Sequence, residues 1–202
     1  MATRFDRLKP LSDLLTPDRR QTDREVFDPA QGSWRQIRID DYYAVVASIS
    51  LHDGVPPTVC EHFASAHNVL AYSCFYYPFN VTAQFLAYVS IEYALRERFQ
   101  AGKNANFRQL VKRAVSERLV TDQGFSHIAP IRERVPHPAS PSESTESRRP
   151  YVDGLVEALP GLRNSLAHGT RMLHNYGVGS VRIASEFINQ LFPHDQNQQP
   201  PG

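Results

Sequence analysis

Cysteine is nearly absent from the 202 residues. Cys60 and Cys74 are the only two, which excludes a disulfide framework, and with no Cys-x-x-Cys pair a zinc ribbon is excluded too. Reduced, buried thiols are the expectation. No apolar run approaches the roughly 20 residues that a membrane-spanning helix needs, and Met1–Asp13 lacks the apolar core of a signal peptide. A soluble cytoplasmic protein with no membrane partner is expected, and Asn80-Val81-Thr82 reads as a chance sequon. Charge of one sign is also lacking: 22 Lys and Arg stand against 21 Asp and Glu, a net of +1. That balance argues against bulk coating of nucleic acid. Metal and phosphate-loop patterns are missing as well. His62 and His67 lie five apart with no His-Glu-x-x-His, and Gly177-Val178-Gly179-Ser180 has neither the lysine nor a preceding strand. No metal and no cofactor are expected.

What the chain does have is proline and alternating apolar segments. Fifteen prolines and a mean hydropathy of -0.42 fit ordered elements separated by exposed linkers. Residues 1–36 read as a flexible N-terminal arm, residues 37–193 as one helical domain, and 194–202 as a polar tail. Within the domain, 37–51 fits helix or strand, because β-branched and aromatic residues mix with alanine. Thr58 with Glu61 reads as a capping box opening a helix that runs to about Tyr77 and is stopped by Pro78. The clearest helix covers Val81–Gln100 and ends at Gly102. Its apolar stripe includes Glu92, whose carboxylate needs a cationic or hydrogen-bonding partner if buried.

Phe107, Leu110, Val111, Ala114 and Val115 mark a further amphipathic helix with Arg108, Lys112 and Arg113 on its outer side. Residues 121–150, with five prolines and a Ser/Glu-rich run, read as a flexible loop. Leu155, Leu159, Leu162 and Leu166 then set a helical stripe straight through Pro160, as one kinked helix or two abutting ones. A last helix covers about Ser180–Phe192. With no hairpin signal, the fold class expected is an all-α antiparallel bundle of about five to six helices.

The stretch Leu162-Arg163-Asn164-Ser165-Leu166-Ala167-His168-Gly169 concentrates the chemistry. On one helix the leucines define the core side, and Asn164 and His168 are outward neighbours at i and i+4. Gly169 can close the helix in a left-handed conformation, leaving His168 on the last turn, where the negative end of the helix dipole favours a cation. A guanidinium, an amide and an imidazole grouped this way suit a phosphate, with the imidazole exchanging protons near neutral pH.

This arginine, followed by asparagine and then histidine after four intervening residues, on the penultimate helix of a small bundle, resembles the R-x4-6-H signature of the HEPN domains. Ile91-Glu92-Tyr93-Ala94-Leu95 and the closing Ile188-Asn189-Gln190-Leu191-Phe192 are similar too, so the resemblance spans about residues 55–193. It implies a metal-independent endoribonuclease, often a toxin or defence effector, with RNA as substrate and a homodimer whose two motifs face one cleft. An antitoxin or another regulatory partner is implied as well. His168 would serve as acid or base, Arg163 as electrostatic clamp, Asn164 as orienting donor, and Glu92 as the partner that holds Arg163. The alternative is a non-catalytic module of the same fold that binds a protein or RNA partner.

Overall fold

The computed structural model describes residues 8–102, 104–128, 150–169 and 174–193. In chain order these form α1 (Arg19–Thr22), β1 (Glu25–Asp28), β2 (Ser33–Gln36), α2 (Ile39–Ala47), α3 (Pro57–Tyr72), α4 (Phe79–Phe99), α5 (Phe107–Ser116), α6 (Tyr151–Ala167) and α7 (Gly177–Leu191). The fold is mainly α. None of the described helices is long and apolar enough to cross a membrane.

Helix α4 is the axis of the molecule and packs against α3, α5, α6 and α7. Its Ala83, Ala87 and Ala94 have no exposed surface, and such small side chains let neighbouring helices approach closely. At one crossing, a Cβ on Gly177 would lie 2.7 Å from Asn80 Oδ1, so the first turn of α7 meets α4 where only glycine fits. Phe187, Ile188 and Leu191 of α7 close the core from that side. Gln84 of α4 donates to the Ser180 hydroxyl of α7 at 2.9 Å, supplying the polar group that burial would otherwise strand. On the other side α5 and α6 pair with each other, and α5 starts where the Asn106 side chain accepts the Gln109 N–H.

Several boundaries differ from those read in the sequence. Helix α3 opens on Pro56 and Pro57 with no side-chain cap, and it ends at Tyr72. Proline at the first helical position needs no N–H partner, so the Thr58–Glu61 box is not used. Helix α4 stops at Gln100, whose φ of 49° supplies the left-handed residue that Gly102 was expected to provide. Residues 39–47 resolve as helix, with Asp41 accepting the Arg38 N–H at 2.8 Å. Pro160 lies inside one continuous α6. The helix closes as expected at Gly169, which has a φ of 84°.

The largest correction concerns the arm and the all-α reading. β1 and β2 form an antiparallel hairpin that pairs Phe27 with Trp34, their rings edge-to-face at 5.6 Å. Arg35 ties the hairpin to α2 by bridging Asp28 and Asp41. The preceding residues dock on the α3–α4 turn: the Asp18 N–H donates to the Cys74 carbonyl at 2.9 Å, and the Asp18 carboxylate accepts the Tyr77 N–H at 3.1 Å. Burial would raise the Asp18 pKa, but the Arg20 side-chain hydrogen bond and backbone N–H donors outweigh it and hold it below the ordinary value. The 121–150 loop also begins as packed structure. Phe125 has no exposed surface, and Asp122 accepts the backbone N–H groups of Tyr151 and Val152 at 3.1 and 3.0 Å, which satisfies the first donors of α6. Residues 129–149 of that loop and the tail 194–202 lie outside the described residues.

Candidate functional site

The site is built around a carboxylate in the wrong place for water. Glu92 sits in the middle of α4 at 8% exposure, and both its oxygens are occupied. Oε1 accepts Arg96 Nη2 at 2.7 Å, one helical turn on. Oε2 accepts Nε of Arg163 at 3.0 Å and also its Nη2. A buried carboxylate is tolerable only with such compensation, so the sequence-level need for a partner is met twice. Arg96 donates further to the carbonyls of Gly102 and Ala105 at 2.9 and 3.2 Å, fixing the α4–α5 connection beneath the site. The guanidinium of Arg163 lies 5.9 Å from the centre of the Phe107 ring on α5, and its Nη1 donates to Asn164 Oδ1 at 2.9 Å.

Arg163, Asn164 and Glu92 are therefore brought together. His168 stands apart from them. It is the exposed residue that closes α6, its N–H donating to the Asn164 carbonyl at 3.0 Å. Among the described residues its ring makes no hydrogen bond. Five helical steps lead from Arg163 to His168, about 140° around the axis and about 7.5 Å along it. Arg163 thus turns toward α4 while His168 faces solvent, and one chain's pair does not converge on a single point. The leucine stripe also departs from its expected role: Leu155 and Leu159 are buried, but Leu162 is 44% exposed.

Two features of the site lay outside the sequence reading. One is Arg96, for which the i,i+4 spacing from Glu92 was the available signal. The other is a stack of His62 from α3 on Tyr93 from α4, ring centres 3.9 Å apart, which has no local signature because the residues are distant in sequence. Both border a pocket of about 270 Å³ whose wall includes Phe85, Val89, Glu92 and Arg163.

Two further histidines are engaged elsewhere in the fold. His67 Nε2 lies 2.8 Å from the Val46 carbonyl and His52 Nε2 lies 3.0 Å from the Asn189 carbonyl. Burial pushes both the Cys60 and Cys74 thiols up, away from the thiolate that nucleophilic catalysis needs. Among the described residues, no three His, Cys, Asp or Glu cluster so as to hold a metal ion. Comparison with known protein families, with curated proteins and with solved structures finds no match to this chain.

Proposed function

We propose that this protein is an endoribonuclease of the HEPN type, acting on single-stranded RNA as a dimer in which two copies of the α6 C-terminus share one cleft. The observation that carries the reading is the exposed end of α6: Arg163 is held by Glu92 yet keeps 29% of its side-chain surface open, Asn164 is exposed beside it, and His168 is exposed at the helix terminus. Three of the five guanidinium N–H groups of Arg163 face Glu92 and Asn164, and the other two, which have no acceptor among the described residues, would serve a phosphate. Pairing two copies supplies the convergence that the 140° offset denies to one.

In the proposed reaction a neutral His168 takes the proton of a ribose 2′-hydroxyl. The O2′–P bond forms, the P–O5′ bond breaks, and the departing O5′ receives a proton from the protonated imidazole of the second copy. The products are a 2′,3′-cyclic phosphate and a 5′-hydroxyl end. Arg163 stabilises the charge that gathers on the phosphate oxygens, an effect worth about 3 kcal/mol for one well-placed donor.

Purified protein should therefore cut RNA in the presence of EDTA and leave cyclic phosphate ends. His168→Ala should lower the rate by about 100-fold or more while leaving the helical circular dichroism and the melting temperature unchanged, because the side chain is exposed. Undiminished cutting by that variant rejects the mechanism. A second reading, a non-catalytic binding module, is favoured by the full occupancy of Glu92, which makes Arg163 a tie between α4 and α6. Absence of cutting together with a loss of more than about 2 kcal/mol in Arg163→Ala selects it.

A further inference from the structure

The pocket beside the motif is an aromatic shelf whose arginines are both tied to Glu92. The His62 ring is exposed and lies on Tyr93 with 27° between the planes, so its outer face continues a stack that begins inside the bundle. Phe85 and Val89 supply apolar wall on the α4 side. Arg96 directs hydrogen bonds to Glu92, Gly102 and Ala105, and the Glu92 oxygens are taken by the two arginines. What the pocket offers a ligand is therefore flat aromatic and apolar surface from His62, Phe85 and Val89, with the open N–H groups of Arg163 at its edge. A phosphate wants forked donors, whereas a planar aromatic ring wants a face to stack on.

We infer that this pocket is a nucleobase subsite: it takes one base of a single-stranded RNA, stacked on His62 and Tyr93, so that the neighbouring phosphate falls to Arg163. The RNA substrate rests on the reading given under Proposed function; the stacking surface does not. Its size supports a single ring system, since about 270 Å³ lies below the usual range of about 300–1,000 Å³ for sites that enclose drug-sized ligands. Stacking accepts any base to some degree, so the subsite anchors the strand more than it reads it, and it supplies affinity that the net charge of +1 does not.

The test uses short fluorescent oligoribonucleotides bound to full-length His168→Ala protein in EDTA, read by anisotropy, with a single abasic ribose walked along the strand. One abasic position should weaken binding about tenfold. Adding His62→Ala should weaken the intact oligonucleotide by a similar factor and produce no further loss at that position. A melting curve controls for folding of the double variant. If RNA binds with the same affinity and the same abasic pattern with or without His62, the subsite is refuted while cutting by the wild-type protein still upholds the nuclease. If the abasic effect and its dependence on His62 appear but wild-type protein cuts nothing, the subsite stands and the nuclease falls. If no RNA is bound or cut, both fall.

Discussion

Along α6, Leu155 and Leu159 are 6% and 1% exposed, whereas Leu162, next on the same spacing, is 44% exposed. The first half of the helix is clamped between the α4–α5 layer and the packed start of the 121–128 segment, with Asp122 closing its N-terminus. In the second half Leu166 is only partly buried against the core, and Arg163 is held there by a charge pair with Glu92. A single leucine period thus serves two regimes: hydrophobic burial, which is insensitive to orientation, and a directional ion pair. The second regime is what a reactive site needs, because it fixes one group while leaving its neighbours in water.

The sharpest way to break this comparison is to remove the charge pair. Glu92→Ala leaves the guanidinium groups of Arg96 and Arg163 beside each other at a buried position with no carboxylate between them, and loss of one partner of a buried pair costs about 3–5 kcal/mol. Urea denaturation should show a loss in that range. A loss under about 1 kcal/mol would mean that the pair is solvated and that Arg163 is not positioned by it. Because the same change frees Arg163, it should also lower any RNA cutting by more than the unfolded fraction alone accounts for.

Next in size is the contrast between the two leucines. Leu159→Ala opens a cavity in a fully packed region and should cost about 3 kcal/mol. Leu162→Ala, at 44% exposure, should stay within about 0.5 kcal/mol of wild type. If Leu162→Ala instead proves costly in a concentration-dependent way, its outer face is covered by a second copy, which is the arrangement the proposed cleft requires.

How far these two regimes were legible in the sequence depends on the range of the interaction involved. Helix α4 could be read because Phe85, Tyr88, Leu95 and Phe99 recur along one helical stripe, although the side chains with no exposed surface prove to be Ala87, Ile91, Ala94 and Leu95, and α5 because its leucine and valine fall on one face while Arg108 and Lys112 fall on the other. That Glu92 needed a partner was also readable, since a carboxylate among apolar residues states its own cost. Arg96 follows from i,i+4 geometry, while the place of Arg163 depends on packing between residues 71 apart in sequence. The hairpin escaped because each strand has four residues, too few for alternation to register, and its stability comes from the Phe27–Trp34 pair and from Arg35 reaching α2. The start of α6 at Tyr151 was legible from its leucine stripe, whereas its cap was not, because Asp122 stands 29 residues before the N–H group of Tyr151 that it accepts.

The smallest expected effect sharpens the comparison from the buried end. Tyr151, the first residue of α6, packs edge-on against Phe125 and His127, ring centres 5.2 and 4.9 Å away. Burial, aided by the nearby Tyr88, Glu186 and Asp122, pushes its phenol up from 10.0 to about 12. Between those values the unfolded chain has lost a proton that the folded chain keeps, so stability falls as pH rises. The contribution is complete below about pH 10 and is lost as pH passes through about 12. Tyr151→Phe should flatten this part of the stability profile, measured as the urea midpoint at successive alkaline pH values, and leave the profile at neutral pH nearly unchanged. An unchanged alkaline slope in the variant would place the phenol in water, and the first half of α6 would then be as open at its start as the second half is at its end.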